Sequence, residues 1–384
     1  MTKLLFIIDA LNCGGAEKSL VSLLPLLDQK KYEVYLWPIV RGGVFEKLVP
    51  ANVTIIASPR YDRFRSLCHR GALALYSISI RISRLLRKKK HLSELYWSCC
   101  GKTTQIPKGD FDIVIAYQQG FPTFLTASKF KGCKKFCWVN TDIEKAGYSK
   151  SFCYKFYSAF DGIVAASDAV KEQLSESFLK GLGYKLHAIY DILNPDLIRQ
   201  MSNERITYEK GNHLIITTVG RMVPPKGYDI AVNAAKILKD NGLDFQWFFV
   251  GNGSSYTQIK NMISEMGLSD NIVLVGENPN PYPYMAMADI YVQPSRFEGF
   301  GLTVSEAKIL NKPIISTDFP SVFNQIRPGV DGIVCKMSAE SIASEITRLA
   351  TDQAIRQSII AETTKEQNTK HLTEIKKVEK LLNS

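Results

Sequence analysis

Short unbroken apolar runs alternate along this chain with stretches whose apolar positions recur every three or four residues. Leu4 to Ile8 is such a run and predicts a strand buried on both faces, whereas Leu20, Val21, Leu23, Leu24 and Leu27 predict a helix. Tyr32 to Val40 reads as a second strand. Val53 to Ile56, Ile113 to Tyr117, Lys135 to Val139 and Gly162 to Ala166 continue the alternation, which is the pattern of parallel strands joined by right-handed helical crossovers. The pattern thins between Leu186 and Asn203, around the turn Asn194-Pro195-Asp196, and restarts at His213.

The restarted series predicts strands at Leu214 to Val219, Phe245 to Val250, Ile272 to Val275, Ile290 to Gln293 and Ile314 to Ser316. Helices are expected between them at Gly227 to Lys239, Ser255 to Met266, Tyr282 to Ala288 and Leu302 to Leu310, with another from Glu340 to Ala350. Two doubly wound α/β domains follow, at 1–190 and 191–365, with a last helix over 366–384 expected to pack back across to the first domain. In open parallel sheets, ligands sit outside the carboxyl ends of the strands, so the chemistry is sought in loops that follow strands. Two sheets facing one another across a cleft would place a polar substrate between them.

A chain of 384 residues, 45% apolar and 22% charged, has material for two packed cores and is not of a disordered class. It has no run of about 18 apolar residues, the minimum for a membrane-spanning helix, and Asp9 interrupts Leu4 to Ile8 before it could serve as a signal core. A cytoplasmic protein is expected. The eight cysteines lack paired CxxC spacing and are read as reduced thiols rather than zinc ligands. Residues 1–190 hold 28 Lys and Arg against 15 Asp and Glu, a net +13, while the remainder is close to neutral. Arg60 to Lys90 concentrates this charge and interleaves it with Leu67, Leu73, Leu75, Ile78, Ile80, Ile82 and Leu85. One or two basic amphipathic helices lying on an anionic membrane surface are expected there, the alternative being a solvated basic face with the apolar side in the core. Nucleic acid is not expected, since the aromatics form no stacking platform.

The sharpest candidate chemistry lies at Glu298-Gly299-Phe300-Gly301-Leu302-Thr303-Val304-Ser305-Glu306, after a predicted strand. The glycines allow close backbone approach, and the helix beginning near Leu302 aims amide groups and its positive end at an anion such as phosphate. Carboxylates repel phosphate but accept hydrogen bonds from sugar hydroxyls, which gives Glu298 and Glu306 a reason to flank such a site. Arg221 and Lys226 follow the first strand of the second half, separated by Pro224 and Pro225, and as fixed cations could neutralise a leaving diphosphate. Asn12-Cys13-Gly14-Gly15-Ala16-Glu17, after the first strand, is a weaker glycine turn. Asp110-Phe111-Asp112 has the spacing of a metal-holding acid pair, but it directly precedes a strand and reads as its solvent-exposed entrance.

Taken together, these segments resemble retaining glycosyltransferases of glycosyltransferase family 4, of the GT-B fold. The carrying residues are VGRMVPPKGYDIAVNAA at 219–235, FVGNGS at 249–254, LVGENPNPYPYMAMADIYVQPSRFEGFGLTVSEA at 274–307 and KPIISTD at 312–318. Glu298 and Glu306 reproduce the family's E-x7-E spacing. The likeness is looser in the first half, at GGAEKSL, FDIVIAY, CWVNTDI and DGIVAASDAVKEQL. It implies that Arg221 and Lys226 contact the donor diphosphate, that Glu298 holds hydroxyls of the transferred sugar and that Glu306 takes the ribose hydroxyls. Gly220, Gly251, Gly253, Gly276 and Gly299, with the amides of Phe300, Gly301 and Leu302, complete the implied donor site, and Gly15 approaches the diphosphate from the first domain. Asn140 stands where relatives often have histidine near the donor sugar, which removes any titrating role from that position.

The function implied is retaining transfer of a hexose-type sugar from a nucleotide diphosphate, UDP by preference, to a lipid-linked or oligosaccharide acceptor. It belongs to the synthesis of cell-surface polysaccharide such as capsule, at the inner face of the plasma membrane. The nucleotide-sugar is a substrate, and neither a metal nor another cofactor is expected. A sugar-nucleotide epimerase of the same fold and a non-catalytic saccharide-binding module are the alternatives.

Overall fold

The computed structural model describes residues 1–59, 63–85, 90–140, 143–144, 146–208, 211–298, 300–366 and 370–384, with side chains at all of these but 63–65, 84, 169, 177, 366 and 370–372. Among the described residues the chain forms two compact units, Met1–Ile192 with Thr373–Ser384, and Leu193–Leu372.

The first unit carries seven parallel strands: β1 (Thr2–Ile8), β2 (Tyr32–Pro38), β3 (Thr54–Ile55), β4 (Ile113–Ala116), β5 (Lys134–Val139), β6 (Gly162–Ala165) and β7 (Leu186–Ala188). Their order in the sheet is β3-β2-β1-β4-β5-β6-β7, so the chain reverses its direction of winding between β1 and β4. Leu4 to Ile8 are wholly buried, and helices cover both faces of the strand that they form. The last helix, Lys370–Leu382, joins this unit from Thr373 onward: Val378, Leu381 and Leu382 enter the core beside Leu4, Val34 and Phe136. Glu374 on that helix accepts a 2.9 Å hydrogen bond from the Tyr190 amide.

The second unit carries β8 (Leu214–Val219), β9 (Phe245–Val250), β10 (Ile272–Gly276), β11 (Ile290–Gln293), β12 (Ile314–Thr317) and β13 (Ile333–Cys335), again all parallel. The order is β10-β9-β8-β11-β12-β13, which puts the reversal between β8 and β11. Its core joins Ile216, Trp247, Phe249, Ile290 and Val292 to helix residues such as Ala231, Ala235, Leu238 and Ile346.

Several local readings change. The turn at Asn194-Pro195-Asp196 opens the helix Pro195–Ser202, because the Asn194 side chain accepts from the amides of Asp196 and Leu197 and proline suits the first helical turn. The charged tail is two helices, Gln353–Glu366 and Lys370–Leu382, the first packed through Ile359 into the second unit. The basic segment is one helix over Arg63–Leu85, and Arg60 and residues 86–89 lie outside the described residues. Asp112 sits at a strand entrance, where its carboxylate accepts from the Lys3 amide at 2.8 Å.

Candidate active site of the second unit

The sheet reverses its winding between β8 and β11, and ligands of open parallel sheets sit at the carboxyl ends of strands at such a reversal. The loop after β8 carries Arg221 and Lys226, and the loop after β11 carries Glu298. Gly227, with φ +66°, makes their meeting possible: a side-chain carbon there would lie 1.9 Å from the Pro294 carbonyl oxygen, so the two loops touch backbone to backbone. The contact is extended by the amides of Arg296 and Phe297, which both donate to the Pro225 carbonyl. Arg296 also forms a two-pronged ion pair with Asp229, at 2.7 and 2.6 Å, and donates to the Pro224 carbonyl. That fork holds the Asp229 carboxyl below its ordinary range and raises Arg296. A cavity of ≈ 490 Å³ opens beside these loops, with Pro224, Asp229, Arg296 and the exposed Phe297 in its wall.

Lys226 forms an ion pair with Oε2 of Glu298, a residue that is itself only 8% exposed. The other carboxylate oxygen, Oε1, accepts from Gln293 Nε2 at 2.9 Å and from Ser295 Oγ at 2.7 Å. Gln293 is in turn held at its own oxygen by Tyr291 (2.6 Å) and Thr303 (2.9 Å). The carboxylate is therefore fixed in direction by donors that are themselves fixed. Ser321 Oγ donates to the Glu298 carbonyl, and Gln325 Nε2 donates to the Phe300 carbonyl while its own oxygen accepts from Ser305.

Gly301, with φ +89°, precedes the helix Leu302–Ile309, whose amino end opens onto this loop. Glu306, on the second turn, is fully buried and accepts from Tyr282 at 3.1 Å. Arg221 is exposed on the β8 loop. The structure thus groups Lys226 and Glu298 directly and puts Arg221, Phe300, Gly301, Leu302 and Glu306 on the same two loops and the helix after them; Gly299 lies outside the described residues. The other glycines of the second unit differ among themselves. A side-chain carbon at Gly251 would strike the Gly220 carbonyl at 1.9 Å and one at Gly253 the Met222 carbonyl at 2.4 Å, so both pass the backbone of the β8 loop, while Gly276 faces open space.

Gln293, Ser295, Tyr282, Gln325 and the Asp229–Arg296 pair escaped sequence reading. One signal was present: a buried glutamine ending an otherwise apolar strand has to be hydrogen-bonded, and Gln293 stands five residues before Glu298.

In the first unit, Gly15 begins the helix Gly15–Leu23, and the Glu17 carboxylate folds back over Gly14. Asn140, just after β5, donates to the Tyr117 carbonyl at 3.2 Å, and its amide donates to Gln119; its side-chain oxygen is buried without a hydrogen-bond partner among the described residues. Asp9, after β1, is pushed up to about 7 by burial and by Glu17. Asp191 is likewise pushed up to about 7 by burial, against the opposing hydrogen bond of Ser19, whose hydroxyl also pairs with Tyr117 at 3.0 Å.

Residues 201–366 match the family described as Glycosyl transferases group 1. The chain is 27% identical over 225 residues to MJ1059 of Methanocaldococcus jannaschii, an uncharacterized glycosyltransferase, covering 54% of this chain and 55% of that one. It is 23% identical over 326 residues to the N-acetylgalactosamine-N,N'-diacetylbacillosaminyl-diphospho-undecaprenol 4-alpha-N-acetylgalactosaminyltransferase of Campylobacter jejuni, covering 84% of this chain and 82% of that one. The chain spans about half the length of the curated relatives it matches first. Among solved structures, Anabaena HepE in complex with UDP and glucose is similar with a TM-score of 0.74 at 16% identity, over 100% of both chains. That likeness is one of fold, and the fold is GT-B.

Proposed function

We propose, from a second unit whose residues 201–366 match the glycosyl transferases group 1, that this protein is a glycosyltransferase of cell-surface polysaccharide synthesis. The donor we assign is a UDP-hexose, and the acceptor a lipid-linked or oligosaccharide chain met at the inner face of the plasma membrane. One observation carries the reading: at the winding reversal of the second sheet, a nearly buried carboxylate is fixed in direction by a hydrogen-bond network and meets a lysine across the two loops. A carboxylate aimed by two donors suits sugar hydroxyls, and cations beside the amino end of a helix suit a diphosphate. HepE, which shares the fold, is known in complexes with UDP and with UDP-glucose, and the Campylobacter relative is named for a diphospho-undecaprenol acceptor.

Lys226 and Arg221 would hold the diphosphate and take up charge as it leaves, and Glu298 would orient the hexose. The Phe300, Gly301 and Leu302 amides would meet phosphate or sugar, and Glu306 the ribose hydroxyls. In the retaining step, the acceptor oxygen bonds to the anomeric carbon on the face that the diphosphate leaves. The bond from that carbon to the phosphate oxygen breaks, and the acceptor proton passes to the departing phosphate. Charge stabilisation and positioning would carry such a step, with Arg221 and Lys226 in the place of a metal.

The test offers UDP-, GDP- and ADP-hexoses with a saccharide acceptor, reading the product by mass spectrometry and its anomeric configuration by NMR, with and without chelator. Transfer with retention from a UDP-sugar that survives chelator is expected. A free epimerised sugar nucleotide, or nucleotide binding without transfer to any acceptor offered, would replace this reading.

A further inference from the structure

The Arg63–Leu85 helix is packed the wrong way round for a soluble surface helix. Toward the protein it presents Ala72, Tyr76, Ser79 and His69: Tyr76 meets Tyr96 edge to face at 5.2 Å, Ser79 Oγ lies 3.7 Å from Cys99 Sγ, and His69 Nδ1 lies 2.9 Å from Thr103 Oγ1. Toward solvent it presents Leu67, Ala74, Leu75, Ile78, Ile82 and Leu85. Their spacing of three, four or seven residues places them along one stripe of the helix. Exposure along that stripe is 67% at Leu67, 59% at Leu75, 50% at Ile78 and Ile82, and 83% at Leu85. A soluble surface helix turns its apolar stripe inward and its polar face outward, and a contiguous outward apolar patch marks a surface with a partner.

The charge around the stripe says which partner. Arg70 and Arg81 border it and are exposed, and residues 63–93 hold nine Lys and Arg with no Asp or Glu. A second protein surface would have to supply both a long apolar face and a dense acidic rim, whereas a bilayer with anionic headgroups offers hydrocarbon beneath negative charge over its whole area. The helix is too polar to cross: among the described residues, no helix is long and apolar enough to span a membrane. It is about 35 Å long at 1.5 Å per residue, the length of an in-plane anchor.

We infer that the Leu67–Leu85 stripe is an insertion face that seats the first unit on an anionic lipid surface, with the helix lying in the plane of the headgroups. This deepens the proposed function, because a lipid-linked acceptor has to be met at a bilayer, but it stands on the helix alone. Binding is then apolar as well as electrostatic, so high salt weakens it without abolishing it, unlike adsorption by charge only.

The experiment is flotation of the full chain with phosphatidylcholine vesicles, with and without phosphatidylglycerol, for the natural sequence, for Ile78→Glu/Ile82→Glu and for Leu75→Trp. Flotation on the anionic vesicles is expected to fall by at least about 10-fold in the double variant. A Trp at position 75, which keeps the face apolar, is expected to shift its emission to the blue and to be quenched by brominated lipid. Circular dichroism and urea unfolding of the same samples report that the double variant is folded, and because flotation needs no substrate, a failed transfer assay leaves its result readable. Three outcomes overturn the inference: equal flotation with and without phosphatidylglycerol, an unshifted and unquenched Trp, or a dimer in ultracentrifugation that the double variant splits, which would assign the face to a second copy of this chain.

Discussion

Lys226 and Glu298, 72 residues apart in the chain, form an ion pair at the point where the second sheet reverses its winding. Neither residue is placed by its own side chain. Gly227 brings one loop against the Pro294 carbonyl, Gln293 and Ser295 aim the carboxylate, and the ion pair closes a frame already built.

Losing either charge removes a group positioned before any ligand arrives. Lys226→Met and Glu298→Gln are each expected to lower kcat on the order of 100-fold, with the fold retained. The double variant should be much less than multiplicatively impaired, because the two act through one contact. Steady-state kinetics with circular dichroism on all three variants checks this, and near-normal turnover in both singles removes the pair from catalysis.

Gly227→Ala is expected to be far worse than Gly276→Ala, although both positions have positive φ, +66° and +80°. At Gly276 a methyl group enters open space and only the backbone preference is lost, about 1 kcal/mol. At Gly227 the methyl group meets the Pro294 carbonyl, so the loops separate and activity falls with stability. Urea unfolding beside a transfer assay compares them, and equal costs would show that the close approach is not what joins the loops.

Ser295→Ala removes one of the two hydrogen bonds to Oε1 of the Glu298 carboxylate, and a bond to a charged group is worth about 1.5–3 kcal/mol. Ser295 positions Glu298 and is not assigned to touch the donor, so kcat should fall about 10-fold or more with KM for the nucleotide sugar little changed. Ser295→Thr, which keeps the hydroxyl, should restore much of the loss. A rise in KM alone would instead make Ser295 a binding residue.

The first unit should lose stability as pH rises. Asp191 is raised from 3.8 to about 7 in the folded chain, so the folded state holds a proton that the unfolded chain releases. The benefit is complete below pH 4 and is lost as pH rises to 7 and beyond, up to about 4 kcal/mol at pH 8 for a shift of this size. Asp191→Asn should leave stability near pH 4 little changed and raise it at pH 8. Urea unfolding of both proteins at the two values tests the sign, and a variant weaker than the natural protein at pH 8 would reverse it.

Strands were the legible part of the fold. Leu214–Val219, Phe245–Val250 and Ile290–Gln293 stand where their apolar runs place them, because central parallel strands are buried on both faces and leave unbroken hydrophobic runs. The edge strands Leu186–Ala188 and Ile333–Cys335 were not legible, being three residues long with no period to read. Asn194-Pro195-Asp196 reads as a turn because Asn-Pro-Asp serves turns and helix starts equally, and the choice is made downstream, where Ile198 and Met201 are buried in the helix Pro195–Ser202. In the candidate site, the glutamates and the Gly-rich turn could be read off their spacing, but the hold on Glu298 could not.

Local chemistry needs only neighbours in the chain, so the order of residues alone settled that there would be two alternating α/β series, loops with cations and carboxylates after strands, and a basic amphipathic helix near residue 75. Tertiary structure decided what those parts do together. Which oxygen of Glu298 meets Lys226 depends on Gln293 and Ser295 at the end of β11, and on a glycine 71 residues before Glu298 that has no side chain to keep the loops apart. An amphipathic period likewise says that a helix has two faces and not which one the protein takes. At Arg63–Leu85 the packing of Tyr76, Ser79 and Ala72 decided it, leaving the leucines and isoleucines outside.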